Sequence, residues 1–310
     1  MSICERGKGQ VRLALRNALL VFLSFFFALL LFEGIFRLVF SIPIGHMPFI
    51  YRINSLNFRG SEPQKKRYHN IPKIMLLGDS YAFGFGVDEA DILPTVVREL
   101  FRSKLDANVD LLNFSQMGWN TTKEVEFFFK LGNDYSFDAL ILAFTFNDIE
   151  LDPVNVYSQQ ALILETQFTM LHALIYNLYM LKQAFLNKSQ SYENTLKNFY
   201  YNKSSIEWMR MSEAILALNA YCKKNNNIFA ILYFETFCAQ DDTSLRYIAK
   251  QEMEAFTRQH GILFLTLPAL DKCDLTPYRL HCFDAHPSRL THYIAGETLY
   301  SLLKEKLHND

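Results

Sequence analysis

Nothing in this 310-residue chain is spaced to hold a metal or a nucleotide. Its five cysteines show no zinc-ligand spacing, so no metal is expected. The pair Gly84-x-Gly86 lacks the third glycine of a dinucleotide-binding loop, and Glu89 stands where it would fall, so no cofactor is expected there. A formal charge of -1 supplies no basic surface of the kind nucleic acid needs. Internal repeats and low-complexity tracts are absent, which excludes solenoids and long disordered arms. A small-x-small cleavage site is also missing after the apolar N-terminal run, where Ser41-Ile42-Pro43-Ile44 follows. An uncleaved anchor is therefore favoured over a removed signal peptide.

The chain has instead 50% hydrophobic residues, with phenylalanine and leucine concentrated near the start. Residues 17–32 carry no charge, and the apolar element runs from about 13 to 40 with Arg16, Glu33 and Arg37 near its ends. About 20 residues suffice to span a bilayer. Arg6, Lys8, Arg12 and Arg16 crowd the N-terminal side, so the positive-inside rule puts residues 1–17 in the cytoplasm and everything after 40 outside it, in the periplasm of a Gram-negative cell. Three regions follow: residues 1–40 as cytoplasmic tip and membrane anchor, 41–72 as a proline-interrupted linker, and 73–306 as the functional domain.

Within that domain, apolar runs at 74–77, 109–114, 139–146, 228–234 and 262–267 read as strands. Helical patterns at 94–105, 121–131, 204–221, 243–260 and 288–303 separate or follow them. The alternation predicts an α/β fold, with a five-stranded, mainly parallel sheet between helical layers. Residues 151–202 break it as an insertion in which Phe168, Leu171, Ile175 and Leu178 recur at helical spacing. It serves either as a lid over a site or as packing on the sheet's flank.

The first strand stops abruptly at Gly78-Asp79-Ser80, so Ser80 falls at the carboxyl end of a central strand, where open α/β sheets collect ligands. On the tripeptide alone, a turn with Ser80 as helix cap is the simpler reading. A serine nucleophile needs an oriented base, and Asp284-Ala285-His286-Pro287 offers both parts: His286 as the base, Asp284 to steer its ring, and Pro287 to preset the next helix. Acyl transfer also needs oxyanion donors. Gly118 follows the second strand and Asn147 the third, each able to supply an N–H group.

The set Gly78-Asp79-Ser80, Gly118, Asn147-Asp148 and Asp284-x-His286-Pro287 resembles, in order, the four sequence blocks of the SGNH (GDSL) hydrolase family. His286-Pro-Ser-Arg-Leu-Thr-His292-Tyr-Ile-Ala is similar to that family's closing segment. The resemblance implies a flavodoxin-like three-layer α/β/α sandwich. It also implies Ser80 as nucleophile, His286 as base, Asp284 behind it, and the Ser80 N–H, the Gly118 N–H and the Asn147 amide as the oxyanion hole. Thr145 departs from the family's third block, which has glycine there, and the single residue between Asp284 and His286 is shorter than in many members. The anchor, the Asn54-Ser-Leu-Asn-Phe-Arg59-Gly60 lead-in and the insertion look like those of membrane-anchored bacterial members.

The expected function is an anchored, extracytoplasmic serine esterase acting on an acyl ester, with a cell-envelope glycan or lipid as the substrate class. One alternative is an O-acyltransferase for an envelope polysaccharide or peptidoglycan, supplied by a membrane acyl-donor partner. The other is a catalytically inactive binding or assembly protein. Of the cysteines outside the cytoplasm, Cys273 and Cys282 flank the loop entering Asp284 and are expected to pair; Cys222 and Cys238 leave other pairings open.

Overall fold

A computed structural model of the chain describes residues 3–39, 51–65, 71–151, 188–236, 242–268, 274–281 and 284–307. They fall into two compact units, one holding helix α1 (Ile3–Val39) and the other the described residues from Tyr51 onward. In α1, Leu15–Phe32 is long and apolar enough to cross a membrane. Its consecutive Leu19, Leu20, Val21 and Phe22 side chains are all exposed, so the apolar surface runs round the helix rather than along one stripe. A helix of this kind has no aqueous face and satisfies its own backbone, as a hydrocarbon environment requires.

The second unit is built on strands β1 (Lys73–Gly78), β2 (Asp110–Ser115), β3 (Ala139–Phe144), β4 (Ile228–Tyr233) and β5 (Leu263–Thr266). All pair in parallel, in the order β2-β1-β3-β4-β5. Every residue of β1 and β3 is buried, because parallel strands are covered on both faces. Met75 and Leu77 face the layer formed by α4 (Thr121–Lys130), α5 (Lys188–Tyr201), α6 (Ile206–Lys224) and α7 (Leu245–His260). Ile74 and Leu76 face α3 (Leu93–Leu105) and α8 (Arg289–Leu307). This is the α/β/α sandwich that the alternation predicts. Its chain order reverses direction at β1, with β2 on one side and β3 on the other, and such a switch point opens a crevice at the carboxyl ends of the strands.

Local chemistry sets the helix starts. Asn120, Ser205 and Ser244 each accept a backbone N–H of the following turn at the head of α4, α6 and α7. Ile92 precedes α3 and has no such oxygen, and the Nδ1 atom of buried His292 takes the Leu93 N–H at 3.1 Å instead. Burial, with Arg59 and His286 nearby, lowers the His292 pKa to about 3, so the ring stays neutral and can accept.

Several expectations are corrected. Strand β3 ends at Phe144, two residues early, because the Thr145 N–H is captured by the Asp148 carboxylate at 2.7 Å. Pro287 closes a strand rather than opening a helix: β6 (Arg279–His281) and β7 (Asp284–Pro287) form a two-stranded antiparallel sheet. Three- and four-residue strands carry too little alternation to be recognised from sequence. Residues 51–65, read as linker, are packed into the second unit, with the Phe58 ring 5.1 Å from Phe114 and 4.9 Å from Phe127. Cys222 is buried in the core and unbridged, which removes it from the pairing scheme. Cys238, Cys273 and Cys282 lie outside the described residues, as does the helical pattern at 168–178. The described end of the insertion, α5, buries Leu196 and Tyr200 in the flanking core layer.

Candidate active site

At the end of β1 the chain turns through Asp79, whose carboxylate accepts the Tyr81 N–H at 2.8 Å and caps the short helix α2 (Ser80–Phe83). Asp79, not Ser80, is the cap, and the Ser80 hydroxyl is left available. A Cβ on Gly78 would lie 2.6 Å from the Ala82 Cβ, so only glycine lets the turn fold back this tightly. The turn after α2 is held from the 51–60 segment. The Arg59 guanidinium, 3% exposed, donates to the carbonyls of Phe83, Gly84 and Val87 and pairs with Glu89 at 3.0 Å. Tyr51 stacks on that guanidinium, and its hydroxyl accepts the Gly86 N–H at 2.8 Å. Neither residue is recognisable as part of a site from sequence, since both belong to an irregular stretch far from Ser80. The Asn54-to-Gly60 motif was the one signal.

Ser80 and His286, 206 positions apart, are brought into contact: the Ser80 Oγ lies 2.9 Å from the His286 Nε2. With the hydroxyl as donor, the imidazole carries its hydrogen on Nδ1, a tautomer assigned from the network. Phe85 and Tyr81 flank the imidazole, with ring centroids 4.7 and 5.4 Å away, and the Tyr81 hydroxyl donates to the Ala285 carbonyl at 3.3 Å. Asp284 begins β7, two residues before His286, and its side chain lies outside the described set.

Gly118 and Asn147 follow the strands that flank β1. Gly118 is exposed with φ +72°, a conformation in which glycine is unstrained, and the Gln116 N–H ties its loop to the Gly78 carbonyl at 3.0 Å. Asn147 is half-buried, and its Oδ1 accepts the Thr145 hydroxyl at 2.8 Å. Thr145 thereby occupies the amide oxygen and turns the amide nitrogen into the group left to donate. Tyr200 on α5 donates to the Phe146 carbonyl at 2.8 Å, bracing the same loop from behind.

Beneath these loops lies a group of buried acids. Asp79, Glu124 and Asp148 are at most 2% exposed, and neither oxygen of Glu124 has a hydrogen-bond partner among the described residues. Desolvation raises all three above the usual carboxylate range; the charge of Asp79 adds to the rise at Glu124 and Asp148, and that of Glu124 adds to the rise at Asp148. For Asp79 the result is about 6, with the Tyr81 N–H and His286 pulling back toward the ionised form. Unfolded, Asp79 titrates near 3.8, so the folded state keeps its proton longer, and stability is lost as pH rises from about 3.8 to about 6. Asp79→Asn retains the acceptor for Tyr81 and removes the titration. In the detergent-solubilised full chain, its melting temperature relative to wild type is expected to climb between pH 4 and pH 6 and then level off. A difference that stays constant from pH 4 to 8 would refute a protonated Asp79.

No protein-family model matches the sequence, and no curated protein matches it. Similar solved structures exist. One is a putative lipolytic protein of the G-D-S-L family from Desulfitobacterium hafniense: identity is 13%, TM-score 0.45, covering 74% of this chain and 99% of that one. Another is a psychrotrophic esterase from a Pseudoalteromonas species, with 12% identity, TM-score 0.43 and coverage of 76% and 99%. A family two carbohydrate esterase from Clostridium thermocellum gives 12%, 0.43, 76% and 65%.

Proposed function

We propose that the chain is a membrane-anchored, extracytoplasmic serine esterase that cleaves an acyl ester through an acyl-serine intermediate. The observation that carries the reading is the 2.9 Å contact between the Ser80 hydroxyl and the His286 imidazole at the switch point of the sheet. In this mechanism His286 removes the hydroxyl proton as the Ser80 Oγ attacks the ester carbonyl. The Ser80 N–H, the Gly118 N–H and the Asn147 Nδ2 donate to the oxyanion as it forms. His286, oriented by Asp284, then protonates the departing alcohol, and water repeats the sequence in reverse to release the acid. The apolar span in α1 and the basic residues ahead of it support a catalytic unit outside the cytoplasm, tethered at the N-terminus.

The solubilised full chain is expected to hydrolyse p-nitrophenyl acetate and to be labelled by a fluorophosphonate probe. A chain that neither turns over the ester nor reacts with the probe is a scaffold, and the proposal fails. Product formation that accelerates on adding a glycan acceptor, with acyl transfer to it, would make water the wrong acceptor and identify an O-acyltransferase using the same residues.

A further inference from the structure

Beside the Ser80–His286 pair lies a second polar group that hydrolysis of a plain ester does not use. Glu235, just beyond β4 and 2% exposed, pairs with the Arg246 guanidinium of α7 at 3.0 Å. That guanidinium lies 4.9 Å over the ring of Phe146, the neighbour of Asn147. Its charge is also felt by Tyr81, the neighbour of Ser80. Arg279, on β6 opposite Pro287, the residue that follows His286, adds a second guanidinium near the same group and feels the charges of Arg246, Tyr81 and Glu235. It is half-buried and has no hydrogen bond or ion pair among the described residues. One carboxylate thus stands near two guanidiniums and is bonded to only one of them, Arg246.

Half-burying a guanidinium without a partner is costly, and a guanidinium cannot shed its charge as the buried acids below it do. Burial and the repulsion of Arg246 indeed lower the Arg279 pKa, yet it remains a cation at any physiological pH. Arg246 is 25% exposed along its side chain and Arg279 is likewise partly open, so neither is sealed from solvent. A planar guanidinium with free donors matches an oxyanion in two-point fashion.

We propose that Arg279 and Arg246 form an anion subsite, and that the substrate is an ester bearing a carboxylate or similar oxyanion near the scissile carbonyl. This rests on the esterase reading for its chemistry, while the subsite itself can be measured separately. The charge belongs either to the acyl group or to the alcohol. p-Nitrophenyl glutarate against p-nitrophenyl valerate places it on the acyl side, and 4-acetoxybenzoate against its methyl ester places it on the alcohol side. In one of these pairs the anionic ester is expected to have a kcat/KM roughly tenfold or more above the neutral one, chiefly through KM. Arg279→Gln is expected to erase about that factor from the ratio, as loss of a charge-assisted hydrogen bond does. Calorimetry of glutarate binding to Ser80→Ala protein gives the readout free of turnover, with affinity expected to fall about tenfold on adding Arg279→Gln. Flat ratios in both pairs together with no Arg279-dependent glutarate binding overturn the subsite while leaving the esterase intact. Arg279-dependent glutarate binding in a chain that cleaves no ester would uphold the subsite and overturn the esterase.

Discussion

Replacing Ser80 by alanine is expected to lower ester turnover by roughly 10⁶-fold, to the level of whatever the remaining oxyanion donors achieve on bound substrate. The size of the loss follows from what the 2.9 Å contact does. The hydroxyl is a poor nucleophile until the imidazole takes its proton, and the imidazole has no task without the hydroxyl. His286→Ala is therefore expected to cost about as much, and the double variant scarcely more than either single one, because the pair acts as a unit. Fluorophosphonate labelling gives the independent check, since it should vanish in both single variants while α2 remains capped by Asp79. Turnover in Ser80→Ala comparable to wild type would place the chemistry elsewhere in the molecule.

Asn147→Ala is expected to lower kcat by about 10²- to 10³-fold with little change in KM, the signature of a donor that bonds the transition state more strongly than the ground state. The structure adds a graded companion to this test. The Thr145 hydroxyl holds the Asn147 Oδ1 at 2.8 Å, so removing the hydroxyl leaves the amide free to rotate without deleting its N–H. Thr145→Val is expected to cost only on the order of tenfold in kcat, the worth of one hydrogen bond. Its loss should disappear in the Asn147→Ala background, where there is no amide left to orient. Equal turnover for Asn147→Ala and wild type would take the amide out of the mechanism, and additive losses would assign Thr145 some other duty.

Much of this could be read along the chain because the signals are local. The core runs of β1 and β3 are apolar without interruption, since both faces of a central parallel strand are covered, and that identifies them residue by residue. Capping oxygens at Asn120, Ser205 and Ser244 mark where helices begin. Ser80, Gly118 and Asn147 stand out because each follows the end of a strand, where the ladder of backbone hydrogen bonds stops, and His286 stands out by the Asp284-x-His286-Pro287 setting ahead of the last helix. Other features gave no such signal. Arg59 and Tyr51 clamp the turn after Ser80, His292 caps a helix 199 positions away, and β6 pairs Arg279 with Pro287, the residue that follows His286.

Sequence alone determined the apolar N-terminal span, the α/β alternation and the order of the reactive residues, all of which are periodic or short-range properties of a chain. Tertiary structure decided which hydroxyl meets which imidazole, which acids keep their protons and which cation is left without a counter-charge. Those outcomes depend on distance and on the removal of water, and neither is a function of position along the chain.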